Sequence, residues 1–377
     1  MTTGHSDHFY MKRALSLAAR GKGKTNPNPM VGAVVVHQGQ IVAEAYHRQA
    51  GQPHAEILAL HRAGPRARGG VLYVTLEPCC HSHKRTPPCV PLLVQSDLSR
   101  VCVAMCDPNP QVAGRGIQAL KQAGIDVSVG ILETEVQQLN EIYIHWITTG
   151  RPFLILKGAM TLDGKIATGS GQSKWITGEK ARQDVHHIRS QVDAVMVGIG
   201  TVLADNPELS ARGSMSENGR RIGRQPVRVV LDSRLRIAPK AKVLRWVHEQ
   251  PTIVCTTAQA SNNKIQALKK QGVQVFVLPQ KSGKVSLKAV LALLGKEGLS
   301  SVLLEGGSTL NASALHEGLV NQVRLYVAPQ LLGGQDAKSL IGGTSPTTLA
   351  KSWHLINPQL KKIGQDWLVT ANIVRHQ

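Results

Sequence analysis

The positions of apolar residues along the 377-residue chain follow two different periods. Short runs rich in β-branched residues, at residues 31–36, 41–46 and 71–75, are typical of strands. Stretches with apolar residues three or four positions apart, at residues 7–20 and 114–123, are typical of amphipathic helices. The two kinds of segment alternate, and this alternation predicts an α/β fold in which helices pack on a sheet.

A cluster of helix-breaking residues at 148–152 interrupts the pattern after a predicted helix at residues 133–147. We therefore predict two domains, residues 1–149 and residues 150–377, each long enough to bury its own core. The second half is again α/β, with a predicted helix at residues 179–189. Its predicted strands lie at residues 153–159, 193–199, 227–231, 252–255, 273–278, 302–305, 323–328 and 366–374.

Charge and composition narrow the choice of partners. The formal net charge of +20 favours an anionic partner. Aromatic residues make up only 3% of the chain and the basic residues are spread along it, so a phosphorylated metabolite fits better than nucleic acid. No apolar run approaches the length of a membrane span, and residues 1–15 lack the apolar core of a signal peptide. We expect a cytoplasmic protein without a membrane partner, in which the six cysteines serve metal binding better than disulfides.

The stretch GQPHAEILAL at residues 51–60 places a histidine and a glutamate two positions apart at the start of an apolar run. Pro53 is a residue type favoured at the first helical position, so we expect His54 and Glu56 in the first turn of a helix. There the two side chains can converge on a group that lies beyond the helix end. A simpler interpretation is that the pair caps the helix and complements its dipole.

Two adjacent cysteines, Cys79 and Cys80, follow the predicted strand at residues 71–75, and Cys89 follows a basic loop. One histidine and two thiolates are a typical set of protein ligands for a catalytic zinc ion that keeps its fourth position for water. Glu56 could then take a proton from this water. Two alternatives stay open, namely buried cysteines unrelated to a metal and a structural zinc site with four ligands in a non-catalytic scaffold.

A His-x-Glu motif followed by Pro-Cys and a further cysteine is the signature of zinc nucleobase deaminases. With TNPNPMVG at residues 25–32 and a long insert before TPPC at residues 86–89, this half resembles the deaminase part of the bifunctional riboflavin-biosynthesis deaminase-reductase family. The resemblance implies a cytidine-deaminase-like fold. It also implies zinc held by His54, Cys79 and Cys89, Glu56 as the catalytic proton-transfer residue, and Asn28 in contact with the substrate.

Two arguments compete over which adjacent cysteine binds the metal. The spacing common in the family would select Cys80, whereas the motif formed with Pro78 selects Cys79. We predict Cys79, because Pro78 restricts the backbone directly after the strand and so aims the next side chain. The loop before Cys89 can absorb one extra residue at little cost in free energy.

The second half carries a further set of motifs that resembles the reductase part of the same family. These motifs are Lys157, TLDGK at 161–165, SKWIT at 173–177, GTVLADNP at 200–207, LDS at 231–233 and LEGG at 304–307. The resemblance implies a dihydrofolate-reductase-like fold that uses NADPH. Taken alone, the glycine motifs are more simply explained as tight turns between a strand and a helix.

The same resemblance implies which residues contact each ligand. The implied cofactor contacts are Ala159, Trp175, Thr201, Asp205, Ser233, Gly307, Ser308 and Thr309. The implied substrate contacts are Ser173, Arg189, Leu209, Arg212 and Glu305. Arg189 and Arg212 suit a phosphorylated substrate, because the guanidinium group matches the geometry of phosphate oxygens.

The resemblance thus implies a homo-oligomeric enzyme with two activities. The first half would hydrolyse the exocyclic amine of a diaminopyrimidine ribosyl phosphate, and the second half would reduce the ribosyl group to ribityl with NADPH. The alternative is a zinc deaminase acting on transfer RNA, which would share the His54 and Glu56 motif and leave the second half as an accessory domain.

Overall fold

The computed structural model describes residues 6–81, 86–211 and 224–375. The chain forms two compact units, Met1–Gly150 and Arg151–Gln377. Arg212, which we expected to contact the substrate, lies outside the described residues. In the part of the chain that the structure describes, no helix has both the length and the apolar character needed to cross a membrane.

The first unit is an α/β structure, as predicted. Its helices are α1 (Asp7–Ala18), α2 (Ala55–Ala63), α3 (Val90–Gln95), α4 (Arg115–Gln122), α5 (Glu133–Leu139) and α6 (Glu141–Thr149). Its strands are β1 (Gly32–His37), β2 (Gln40–Tyr46), β3 (Val71–Leu76), β4 (Arg100–Met105) and β5 (Asp126–Val129). Strands β1, β2 and β3 confirm the strands predicted at residues 31–36, 41–46 and 71–75 to within one position at each end.

The sheet of the first unit has the strand order β2-β1-β3-β4-β5. Strand β1 pairs antiparallel with β2 and β3, whereas β4 runs parallel to β3 and β5. In β1, β3 and β4 nearly every residue is buried, which is typical of a sheet that is covered on both faces. Burial of each valine or leucine side chain in this core stabilises the unit by about 1.5–3 kcal/mol.

Two details of the first unit differ from the prediction. Helix α2 begins two residues later than expected, at Ala55, with His54 as its N-cap and Pro53 outside the helix. The helix predicted at residues 133–147 is broken at Asn140, which separates α5 from α6. The Asn140 side chain accepts a hydrogen bond from the Met30 N–H and donates one to the Met30 carbonyl oxygen. A contact with a residue 110 positions away therefore fixes the break.

The second unit is also α/β. Its helices are α7 (Glu179–Gln191), α8 (Ile199–Asp205), α9 (Asn262–Lys270), α10 (Leu287–Lys296) and α11 (Ser308–His316). Its longer strands are β6 (Phe153–Thr161), β8 (Ala194–Gly198), β9 (Val227–Leu231), β10 (Thr252–Thr256), β11 (Gln274–Val277), β14 (Ser301–Leu304), β15 (Gln322–Ala328), β17 (Trp353–Ile363) and β18 (Asp366–Arg375). Short strands are β7 (Lys165–Ala167), β12 (Gln280–Lys281), β13 (Lys284–Val285) and β16 (Lys338–Ser339).

The main sheet of the second unit has the order β11-β10-β9-β8-β14-β6-β15-β18-β17. The strands from β11 to β15 in this order are parallel to their neighbours, and β18 and β17 add an antiparallel edge. In such a sheet, ligands bind beyond the carboxyl ends of the parallel strands. The sheet therefore brings the segments that follow β6, β8, β9, β14 and β15 to one edge.

The longer elements of the second unit differ from the prediction in two respects. The strand predicted to run to Ile199 ends at Gly198, and Ile199 begins α8. Strand β17 was not predicted, because its sequence contains Asn357 and Pro358. These residues coincide with a register shift between Ile356 and Gln359, and proline is tolerated at such irregularities of an edge strand.

Candidate functional site

A group of metal-ligand side chains lies at one end of the first unit's sheet. Among the described residues, His54, Cys79 and Cys89 form such a group, with their ligand atoms all within 4.8 Å of one another. Nδ1 of His54 lies 3.5 Å from Sγ of Cys79 and 3.3 Å from Sγ of Cys89, and the two sulfur atoms are 3.4 Å apart. Bonds of about 2.0–2.3 Å to a shared ion place tetrahedral ligand atoms roughly 3.4–3.8 Å apart, so this triangle matches one face of a zinc tetrahedron.

Three chain elements position these ligands. His54 is the N-cap of α2, Cys79 follows β3 after a short turn, and Cys89 is the N-cap of α3. The backbone N–H of Cys89 donates to the carbonyl oxygen of Cys79 over 2.9 Å, which closes the loop between the two cysteines. Cys80 is half-buried and is not part of the three-residue group.

The Glu56 carboxyl group is buried beside the three ligands, with 3% of the residue exposed. The Cys89 thiol lies within hydrogen-bonding reach of this carboxyl group, and burial raises the pKa of Glu56. In the described part of the chain, Oε2 of Glu56 has no hydrogen-bond partner. A buried oxygen of this kind needs a partner, and a water molecule at the fourth position of a metal site would supply one.

The residues present therefore fit a zinc ion. The donor set is one imidazole and two thiolates, which zinc prefers, and the described group leaves one tetrahedral position for water. A structural site would use four protein ligands and would have no use for a buried carboxyl group beside them. The arrangement supports the catalytic interpretation over the scaffold interpretation.

Glu77 is a site residue that the sequence did not reveal. Its Oε2 accepts hydrogen bonds from the N–H groups of Asp107 and Gly114, and its Oε1 accepts from those of Gly116 and Ile117. The carboxylate thus satisfies the amino-terminal N–H groups of α4 and complements the helix dipole. Because Glu77 lies two residues before Cys79, this contact fixes the start of the turn that carries the first thiolate.

Gly116 allows the close approach of α4 to this turn. A Cβ atom at position 116 would lie 2.0 Å from the carbonyl oxygen of Pro78. No side chain fits there without a shift of the backbone. The helix and the Pro78 turn are therefore packed directly against each other.

The buried histidine His47 lies between Asn28 and the metal-ligand group. Nδ2 of Asn28 and Nε2 of His47 are 3.2 Å apart, and Nδ1 of His47 lies 3.2 Å from the carbonyl oxygen of Pro53. The rings of His47 and His54 meet edge to face, with their centroids 5.2 Å apart. Burial lowers the pKa of His47, which favours the neutral imidazole. The side chain expected to contact the substrate is thus held by a second, buried ring.

The second unit places several expected cofactor residues at the carboxyl edge of its main sheet. Ala159 lies near the end of β6, and Thr201 belongs to α8, which directly follows β8. Ser233 follows β9, and its hydroxyl group accepts a hydrogen bond from the N–H of Val285. Asp205 is the last residue of α8 and is exposed. These residues and the turn after β14 follow four neighbouring strands, β9, β8, β14 and β6, and therefore lie at one edge of the sheet.

The glycine motif after β14 forms the start of a helix. Gly307 is the N-cap of α11, and Ser308 and Thr309 occupy the first turn, as the sequence predicts. A Cβ atom on Gly307 would lie 3.6 Å from Oγ1 of Thr201, so α8 and the start of α11 are adjacent. The free N–H groups of a helix start favour a negatively charged ligand such as the diphosphate of a dinucleotide.

A buried charge cluster lies next to this helix start. Arg189 donates two hydrogen bonds to Glu305, one from Nε over 2.6 Å and one from Nη2 over 2.9 Å. Nζ of Lys157 lies 3.8 Å from Oε2 of Glu305. Burial alone would raise the pKa of Glu305, but Arg189 and Lys157 outweigh it and lower this pKa to about 2. Arg189 and Lys157 thus place two basic groups beside one carboxylate, although burial lowers the pKa of Lys157. The guanidinium group of Arg189 suits an anionic substrate.

Leu209 lies beside this cluster, because the next residue in the chain, Ser210, accepts a hydrogen bond from Arg189. Nη1 of Arg189 donates to the carbonyl oxygen of Ser210 over 3.1 Å. Leu209 adopts a left-handed backbone conformation with φ of 56°, and its carbonyl oxygen accepts a hydrogen bond from Gln250. A non-glycine residue held in this conformation is often found at a ligand site.

Trp175 and Ser173 lie in the segment before α7. Trp175 is 69% exposed, and the guanidinium carbon of Arg182 lies 4.4 Å from the centroid of its ring. Nη1 of Arg182 also donates to the carbonyl oxygen of Thr177 over 2.8 Å. One face of the indole is thus held by a cation, which leaves a large aromatic surface in an exposed position. Ser173 is half-buried.

Two family models cover most of the chain. The model described as the cytidine and deoxycytidylate deaminase zinc-binding region matches residues 5–105, and the model described as the RibD C-terminal domain matches residues 152–369. The second match occupies the half that an RNA deaminase would leave without a function. The alternative of an RNA deaminase with an accessory domain therefore does not account for the chain.

Relatives of similar length match over nearly the whole chain. The riboflavin biosynthesis protein RibD of Actinobacillus pleuropneumoniae is 46% identical over 98% of this chain and 96% of that protein. The solved structure of Acinetobacter baumannii RibD superposes with a TM-score of 0.87 at 40% identity, covering 98% of this chain and 99% of the other.

A third relative is named for two activities. The solved structure of a Thermotoga maritima diaminohydroxyphosphoribosylaminopyrimidine deaminase/5-amino-6-(5-phosphoribosylamino)uracil reductase has a TM-score of 0.82 at 36% identity. It covers 97% of this chain and 98% of that chain.

These matches settle the fold class and the cofactors. The first unit is cytidine-deaminase-like and the second is a reductase domain of the RibD type, with a dihydrofolate-reductase-like fold. Zinc is the metal of the first unit, and NADPH is the cofactor of the second. The chain therefore belongs to the RibD family of riboflavin biosynthesis proteins.

Proposed function

We propose that this chain catalyses two consecutive steps on a ribosylated pyrimidine. Residues 1–149 remove the exocyclic amine of 2,5-diamino-6-(ribosylamino)-4(3H)-pyrimidinone 5′-phosphate by hydrolysis, and residues 150–377 reduce the ribosyl group to ribityl with NADPH. The observation that carries the proposal is the three-ligand group of the first unit with the unpartnered Glu56 oxygen beside it. The activities named for the Thermotoga maritima relative agree with it.

In the deamination, His54, Cys79 and Cys89 hold the zinc ion, and Asn28 contacts the pyrimidine. When bound, the zinc ion supplies the positive charge that lets a water molecule ionise near neutral pH. Glu56 takes the proton from this water while the water oxygen forms a bond to the ring carbon that carries the amine. Glu56 then delivers the proton to the nitrogen, the carbon–nitrogen bond breaks, and ammonia leaves. The burial of Glu56 suits this role, because the carboxyl group must both accept and release a proton.

In the reduction, the protein binds and orients two ligands. When bound, NADPH supplies the hydride that reduces the sugar carbon in its open-chain form. The helix start at Gly307, Ser308 and Thr309 binds the cofactor, together with Ala159, Trp175, Thr201, Asp205 and Ser233. Arg189, Arg212, Ser173 and the Leu209 backbone bind the phosphorylated substrate, and Glu305 fixes the guanidinium of Arg189 by two hydrogen bonds.

The proposal also concerns partners and location. The substrate is a phosphorylated metabolite and not nucleic acid, since the positive charge is spread along a chain with few aromatic residues. We further propose a cytoplasmic enzyme that forms a homo-oligomer.

The test is replacement of the proton-transfer residue by its amide. Glu56→Gln should lower ammonia release by about 10²–10⁴-fold, because loss of a general acid–base typically costs this factor. Zinc content and the reduction of already deaminated substrate should stay unchanged, since Glu56 makes no metal bond and lies in the other unit. Glu135→Gln, an exposed carboxylate of the first unit, is the matched control. Loss of zinc or of reduction in the Glu56 variant would refute the assignment.

A further inference from the structure

Asp163 joins two segments of the second unit that are far apart in sequence. Strands β6 and β15 run parallel and end at the paired residues Thr161 and Ala328. Beyond them, Oδ1 of Asp163 accepts hydrogen bonds from Oγ1 of Thr161 over 2.5 Å and from the N–H of Leu332 over 3.1 Å. Its Oδ2 accepts a third from the N–H of Gly333 over 2.7 Å. One carboxylate thus ties the TLDGK turn to the segment after β15.

The segment after β15 is a long loop, residues 329–343, which we call the return loop. Its first part is fixed to the TLDGK turn a second time, because the Leu162 N–H donates to the carbonyl oxygen of Gln330 over 2.8 Å. Its middle forms β16, which pairs with β7. The Leu340 N–H donates to the carbonyl oxygen of Gly164 over 3.0 Å. The loop is therefore anchored along its length to the turn that contains Asp163.

The far end of the return loop reaches the start of α11. The Gly342 N–H donates to the carbonyl oxygen of Ser308 over 3.2 Å, and Nδ2 of Asn311 donates to the carbonyl oxygen of Leu340 over 3.1 Å. A Cβ atom on Gly342 would lie 2.5 Å from Oγ of the Ser308 side chain, so a larger residue at position 342 would collide with Ser308. The end of the return loop thus packs against the first turn of α11.

Asp163 itself contributes little to the core. The residue is exposed, and it is the hydrogen bond from Thr161, together with those from the loop, that lowers its pKa to about 2. The carboxylate is therefore ionised at neutral pH. Its contacts restrict the freedom of a loop and bury no apolar surface, so its removal should change the order of the loop more than the stability of the fold.

We propose that Asp163 is a positioning residue for NADPH binding, because it holds the return loop against the first turn of α11. The inference rests on the proposed cofactor role of Gly307, Ser308 and Thr309. Without the Asp163 contacts the loop samples more conformations, and NADPH must then order it on binding. This ordering lowers cofactor affinity but leaves the bound complex unchanged.

The test compares Asp163→Asn and Asp163→Ala with wild type in the full-length, zinc-loaded protein. The dissociation constant of NADPH, measured by fluorescence titration, should rise about tenfold in the alanine variant, because two charge-assisted bonds to the loop are lost. The dissociation constant of the asparagine variant should lie between those of wild type and the alanine variant, since one amide oxygen remains as an acceptor. Turnover of reduction at saturating NADPH should stay within about twofold, and ammonia release should not change.

A second measurement follows the loop itself. Limited trypsin digestion should cleave faster after Lys338, an exposed residue of β16, in both Asp163 variants. Glu179→Gln is the matched control, because Glu179 is an exposed carboxylate of the same unit. Among the described residues it accepts a hydrogen bond from Gln183, one turn further along the same helix. This control should match wild type in both measurements.

The outcomes separate the inference from the proposed function. Faster cleavage at Lys338 with unchanged NADPH affinity would show that the loop does not serve cofactor binding, and unchanged cleavage would show that Asp163 does not hold the loop. Either result overturns the inference, as does a fall in turnover with no change in affinity. Thr201→Val tests the cofactor site independently of the loop. If it leaves NADPH affinity unchanged, the proposed cofactor contacts are wrong. If it weakens binding and the Asp163 variants do not, only the inference fails.

Discussion

The guanidinium group of Arg189 donates two hydrogen bonds, of 2.6 and 2.9 Å, to the carboxylate of Glu305 in the interior of the second unit. The side chains of both residues are mostly buried, with 13% and 10% exposed. Removing one partner of such a buried ion pair lowers the free energy of unfolding, because the other charge is then buried without compensation. The pair also orients the guanidinium group that we propose for the substrate phosphate, so its strength can be measured both as stability and as binding.

The stability of the second unit should depend on pH through Glu305. Its pKa is about 2 in the folded protein and 4.5 in the reference state, so its contribution is fully present above about pH 4.5. That contribution, about 3 kcal/mol, is lost as the pH falls from 4.5 towards 2, since protonation then favours the unfolded chain. Urea unfolding between pH 2.5 and 7 should therefore show a steeper loss for wild type than for Glu305→Gln. The first unit is the same in both proteins, so the difference isolates Glu305. Parallel pH curves would contradict the prediction.

Regular features of both units could be predicted from the sequence, because they depend on local periodicity. The β-branched runs predicted strands β1, β2 and β3, and the glycines at 306 and 307 predicted a turn between a strand and a helix, where α11 begins. Features set by long-range contacts could not be predicted. The break at Asn140 depends on Met30, and strand β17 contains a proline that is tolerated only because it lies at the sheet edge.

The metal-ligand group was predictable for a different reason. Residue types that bind zinc are few, and their order along the chain is fixed by the family, so His54, Cys79 and Cys89 stand out. Glu77 does not stand out, because one glutamate after a strand has no distinctive spacing. Its four N–H donors come from a segment some 30–40 residues further along the chain, and only the folded structure brings them together.

NADPH affinity should depend on Trp175 and on the contact of its ring with Arg182. An exposed cation–π contact stabilises a ring position by about 0.5–1 kcal/mol, so Arg182→Ala should weaken NADPH binding about two- to fivefold. Trp175→Ala should weaken it further and impair reduction, with ammonia release unchanged. The matched control is Trp246→Ala, which removes a second tryptophan that is 63% exposed. Titration of tryptophan fluorescence with NADPH provides the measurement. Unchanged affinity in the Trp175 variant would remove this residue from the cofactor site.

The last prediction concerns the two adjacent cysteines. The structure brings Sγ of Cys79 to 3.5 Å from His54 and 3.4 Å from Cys89, whereas Cys80 is outside the group. The backbone bond from Cys89 to the Cys79 carbonyl oxygen further ties these two residues to each other.

Cys79→Ser should therefore lose zinc and ammonia release, because a hydroxyl group is a poor replacement for a thiolate ligand. Cys80→Ser should keep both, and it serves as the matched control since it changes the same atom one position away. Zinc content by elemental analysis and ammonia release are the two measurements, and reduction of deaminated substrate should persist in both variants. Retention of zinc in Cys79→Ser together with its loss in Cys80→Ser would mean that loop spacing, and not the turn after Pro78, selects the ligand.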